Sequence, residues 1–107
     1  MFGIGKNNAA IDAFALEICG DLAKRFPQSR EAELGGDRGK VGVTLGKALA
    51  DLQRRVAVFQ STRKLGIYGK ARLLRAIRSE LQRLQYSATF VAATTDLLVN
   101  TVAAPSG

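Results

Sequence analysis

Apolar residues return at helical spacing along most of the chain. Between residues 8 and 26, Ile11, Phe14, Ala15, Ile18, Leu22 and Phe26 form one stripe, the pattern of a helix with one buried face. Asn7 or Asn8 offers a short side-chain oxygen for an N-cap, and Pro27 ends the element because it lacks an N–H and clashes with the preceding turn. From Thr44 to Lys64, Leu45, Leu49, Leu52, Val56 and Phe59 step by 4, 3, 4 and 3. That spacing is a coiled-coil-like seam and calls for a partner helix, in this chain or in a second copy. A third helix is predicted over Lys70–Gln85, where Leu73, Leu74, Ile77, Leu81 and Leu84 fall within a sector about 100° wide and arginines fill much of the opposite side.

The segment from Tyr86 to Ala104 is rich in β-branched residues, which favour strands. Its pattern nevertheless places Phe90, Ala93, Thr94, Leu97, Thr101 and Ala104 on one helical face, so a helix is expected, with Ser87 as N-cap. Residues 27–43 carry four glycines and mixed charges and are expected to form a flexible linker. The fold expected is therefore all-α: a single domain over residues 1–107, built as a small bundle of three to four helices. The short turn at 65–69 predicts a central antiparallel hairpin of helices two and three, with Gly66 as the left-handed cap of helix two, Ile67 packed back on the core, and Gly69 opening helix three.

Charge changes this picture. The chain carries a net +7, but residues 1–40 are neutral and residues 60–86 alone carry +6. Seven bases there face one acid, Glu80. Such asymmetry favours an anionic partner. No apolar run is long enough to cross a bilayer, Lys6, Asn7, Asn8 and Asp12 interrupt any secretory signal, and a single cysteine, Cys19, excludes an intramolecular disulfide framework. A reducing, cytoplasmic location is expected, with no membrane as partner.

Candidate chemistry is sparse. The chain has no histidine, which removes imidazole acid–base catalysis and the usual zinc sites. Cys19 lies at the edge of an apolar stripe and reads as core. Glu17 and Asp21 share a helix face, where Lys24 and Arg25 stand within reach as salt-bridge partners. The glycine-rich segment "GGDRGKVGVTLGK" fails as a phosphate loop: Leu34 stands where the first glycine is needed before Gly39, and Val41 follows Lys40 where a hydroxyl must bind magnesium. Two GXXG strings occur, at 39–42 and 66–69. The second lies between helices, as the backbone-clamping loop of KH domains does. It carries Ile67 and Tyr68 where such loops hold polar or basic residues, and no strands are expected around it, so it reads as helix punctuation.

What remains is the basic face. Arg72, Arg75 and Arg78 are spaced by three, and like charges at that spacing repel unless something offsets them. Lys64, Lys70 and Arg83 extend the patch, and Tyr68 and Tyr86 flank it with rings able to stack on bases. The chain is expected to be a small non-enzymatic interaction protein, without cofactor or metal, that self-associates, with a dimer favoured, through the Leu45–Phe59 seam. It would meet its partner, an acidic protein or a nucleic acid, through Lys64, Tyr68, Lys70, Arg72, Arg75, Arg78 and Arg83. The alternative reading is a nucleic-acid-binding protein that places the arginines of 70–83 on phosphates.

Overall fold

The computed structural model describes the backbone of residues 2–35 and 39–103, and the side chains of 8–32 and 42–103. Four α-helices follow one another: α1 (Phe2–Arg25), α2 (Gly39–Thr62), α3 (Ile67–Arg83) and α4 (Ala88–Ala103). A 3-10 helix, Gln28–Gly35, lies between α1 and α2, and the described residues contain no strand. The all-helical bundle expected from periodicity is what forms.

Cross-helix pairs define how the bundle is arranged. Asp12, Cys19 and Phe26 of α1 and its end meet Arg72, Ile77 and Tyr86 in that order, so α1 and α3 run parallel. Phe14 meets Phe59, and Arg25 meets Asp51, so α2 runs against them. The packed neighbours are α1 with α3, α3 with α4, α4 with α2, and α2 with α1. α2 and α3 are thus antiparallel, as their short connection predicts, yet they stand diagonally across the bundle rather than sharing a packed face.

The buried set follows the predicted stripes closely in the first three helices. Ile11, Ala15, Ile18, Leu22 and Phe26 are buried, as are Leu52 and Val56 of the α2 seam and Leu73, Ile77 and Leu81 of α3. Leu45, Leu49 and Phe59 pack against this core at its margin, and Phe59 stacks on Phe14 with ring centroids 4.0 Å apart. The seam therefore finds its partner helices inside the chain. In α4 the inward face is turned: Phe90, Val91, Thr94, Leu98 and Val102 are buried, while Ala93 is exposed. Valines and leucines stand on several sides of this helix, so periodicity alone does not single out one stripe; packing against α2 and α3 selects it.

Helix boundaries depart from the sequence reading in instructive ways. α1 begins at Phe2, so Asn7 and Asn8 lie within it rather than at its cap. Gly3 and Gly5 cost about 1 kcal/mol each relative to alanine but do not forbid helix. The expected 27–43 linker is replaced on one side by the 3-10 turn and on the other by α2, which starts at Gly39, with Thr44 inside it; residues 36–38 lie outside the described residues. Glu31 of the 3-10 segment ties this region to α4. Its carboxylate accepts the Ser87 backbone N–H at 3.1 Å and the Ser87 hydroxyl at 3.0 Å, while Ser87 Oγ accepts the Phe90 N–H at 3.1 Å. Ser87 is the N-cap expected of it, and Glu31 does from a distance what a glutamate three residues into the helix does in a capping box.

Two helix ends share one device. At the end of α2, Leu65 N–H donates to Gln60 O at 3.0 Å and Lys64 N–H to Ser61 O at 3.2 Å. At the end of α3, Tyr86 N–H donates to Leu81 O at 3.2 Å and Gln85 N–H to Gln82 O at 3.0 Å. Both are Schellman motifs, and both place a residue with a side chain in the left-handed region, Lys64 at φ 52° and Gln85 at φ 74°. The left-handed cap of α2 is thus Lys64; Gly66, expected there, is extended at φ −83° and precedes α3. Glycine adopts the left-handed region without the steric penalty that a Cβ brings, so Gln85→Gly is expected to stabilise the fold by about 0.5–1 kcal/mol. Thermal unfolding would read this as a rise in Tm of about 3–6 °C.

Candidate functional site

The seven expected contact residues come together at one end of the bundle and along the outer side of α3, but they are not equivalent. Arg72 reaches across to α1, where its Nε and Nη2 donate to the two oxygens of Asp12 at 3.2 and 2.8 Å. This two-bond fork is the strong geometry for a guanidinium and a carboxylate, and it raises the Arg72 pKa above its ordinary value. Arg83 donates to both oxygens of Glu80, one bond measuring 2.9 Å. Hydrogen bonding from Arg83 holds the Glu80 carboxyl below its usual range despite its burial. The expectation that only Glu80 stands near these arginines thus fails for Arg72: Asp12 is sixty residues away in sequence and adjacent in space.

Arg75 and Arg78 differ. Both are exposed and form no ion pair among the described residues. Lys64 is exposed, Lys70 is half-buried, and neither meets a carboxylate there. Arg63, next to Lys64 in the chain, is also exposed, with its guanidinium carbon 5.7 Å from the centre of the Phe59 ring. The two tyrosines part company. Tyr68 is 75% exposed, whereas Tyr86 is buried, stacked on Phe90 at 4.5 Å, and donates its hydroxyl to the Phe26 carbonyl. Tyr86 is therefore a core residue and offers no ring for stacking on a base.

The corner between α2 and α3 inverts the expected roles of its apolar residues. Ile67, expected to pack inward, is 88% exposed. Leu65 is the residue buried there, because the Schellman turn swings it under the end of α2. Its side chain lies 3.2 Å from where a Cβ on Gly69 would stand, so a side chain at 69 would require Leu65 to shift by a few tenths of an ångström. The Gly66–Gly69 pair is part of a helix start, without the strands that a KH loop requires. Ile67 and Tyr68 border a groove of about 670 Å³ along α3, which Asp12, Arg72, Arg75 and Ser79 also line.

The remaining candidates resolve as structure. Arg55 of α2, rather than Lys24 or Arg25, bridges Glu17 and Asp21 at 2.8 Å each; its hydrogen bond lowers the Asp21 pKa, with Lys24 and Arg25 contributing through space. Arg25 turns instead to Asp51 at 3.4 Å, which Arg54 also engages. Cys19 is fully buried, with Sγ 3.8 Å from the Ile77 carbonyl. Among the described residues no three His, Cys, Asp or Glu side chains converge as a metal site, and no helix is long and apolar enough to cross a membrane.

The fold is a four-helix bundle whose excess positive charge is concentrated in residues 60–86. No protein-family model matches the chain, and no curated protein and no solved structure is detectably similar to it.

Proposed function

We propose that this protein is a small non-catalytic binding module that meets an anionic partner through the α2–α3 corner and the outer side of α3. The observation that carries this reading is the division among the arginines. Asp12 and Glu80 engage Arg72 and Arg83, while Arg75 and Arg78 stand exposed and form no ion pair among the described residues. Two unpaired guanidinium groups one turn apart repel each other, and an anion lying along α3 relieves that repulsion. Of the Leu45–Phe59 stripe, which motivates self-association in the sequence, Leu52 and Val56 are buried in the core, while Leu45, Leu49 and Phe59 are only partly buried.

Binding of a labelled oligonucleotide, polyglutamate and heparin at about 50 and about 200 mM salt tests this reading, because phosphate or carboxylate contacts weaken steeply with salt. The doubly reversed Arg75→Glu, Arg78→Glu protein is expected to lose more than about tenfold in affinity with its helicity unchanged, since both residues are exposed. Undiminished binding by that variant, or no binding to any polyanion at low salt, would sink the proposal.

A further inference from the structure

The α2–α3 corner combines features that neither a stripe nor a charge count reveals. Ile67 and Tyr68 are the two most exposed of the large apolar side chains described, and they are neighbours in the chain. Their exposure is built in: Leu65 fills the inward position and Gly69 closes over it, so no inward site is left for Ile67. Arg63, Lys64 and Lys70 flank the pair in the chain, and Arg75 borders the same groove. The one described carboxylate lining that groove, Asp12, is held by Arg72.

We infer that this corner docks on an anionic lipid surface. Ile67 enters the interfacial layer, Tyr68 sits at headgroup level, and Arg63, Lys64, Lys70 and Arg75 lie over the phosphates. The inference rests on the anionic-partner reading and deepens it by naming the partner; it departs from the expectation that no membrane takes part, which rested on the lack of a spanning apolar run. Charge and apolar character argue for lipid together. An aliphatic side chain has no π face and gains nothing by stacking on a base, which weighs against a nucleic acid as the occupant of the corner. A bilayer interface presents anionic headgroups above an apolar layer, and it suits both a tyrosine, with its apolar ring and polar tip, and a cluster of basic residues.

Sedimentation of the full chain with phosphatidylcholine vesicles, and with vesicles containing about one-third phosphatidylserine, tests it. Binding to the anionic vesicles only, reduced at least about tenfold by Ile67→Asp, is the expected result. Depth is read separately with Ile67→Trp, which introduces a tryptophan into a chain that has none: its emission should shift to the blue on anionic vesicles, whereas Val58→Trp, on exposed α2, should not shift. Vesicle binding that Ile67→Asp leaves intact would overturn the inserted corner. Binding to an oligonucleotide or polyglutamate but not to vesicles would overturn the lipid inference and leave the anionic-partner reading standing. Failure to bind any of these anions would overturn both.

Discussion

Phe26→Ala is expected to destabilise the protein by about 3–5 kcal/mol, the range for truncating a buried phenylalanine. Phe26 is fully buried just past the end of α1, its ring lies 5.8 Å from that of Phe90 on α4, and its carbonyl accepts the Tyr86 hydroxyl. Three parts of the chain converge on this one residue, so little can move in to fill the space left by the ring. A domain of this kind has only about 5–15 kcal/mol of stability in total, which makes the loss a large fraction of the whole. Urea denaturation measures it directly. Tyr86→Phe, which keeps the ring and removes only the hydrogen bond, should cost about 1–2 kcal/mol. If the two variants were equally damaged, the ring cluster would not be what holds this end of the bundle.

Alkaline pH should have the second large effect. Burial, with a smaller contribution from nearby Glu80, pushes the Cys19 thiol up from 9.0 to about 12. Burial, then Cys19 and Glu31, pushes Tyr86 from 10.0 to about 12. In the unfolded chain both groups release their protons at their ordinary values. Between those values and about 12 the folded protein holds protons that the unfolded chain has lost, so stability is complete below pH 9 and falls as pH rises toward 12. For the thiol the loss is on the order of 4 kcal/mol at the top of the window. Urea midpoints at about pH 8, 9.5 and 11 should fall progressively, and Cys19→Ala, though less stable at every pH because of the cavity, should show a flatter decline. An unchanged slope in that variant would remove the thiol as the cause.

The helices were legible because each needs only its own periodicity. Ile11, Ile18, Val56, Leu73, Ile77 and Leu81 are predicted inward by spacing and are buried. Ser87 was legible as a cap for the same reason: the bond from Phe90 N–H is local. The α4 face was misread where valine and leucine occur around the helix, leaving no unique stripe. At the site, Arg75 and Arg78 form no ion pair among the described residues. The fates of Arg72 and Tyr86 could not be read locally, because their partners Asp12 and Phe26 are both sixty residues distant.

By itself, then, the sequence determined that this chain forms helices, which faces of the first three turn inward, and that positive charge gathers around residues 60–86. Those properties follow from spacing within a helical turn and from composition. The tertiary structure alone decided that α2 and α3 stand diagonally, that Leu52 and Val56 of the α2 seam are buried within the chain, that Arg72 is engaged by Asp12, and that Leu65 rather than Ile67 turns inward. Each of these depends on which helix lies beside which, and, at the corner, on a left-handed Lys64 that redirects the chain by one residue. Local pattern sets the preference of a helix face for water or core, but only packing sets what that face meets.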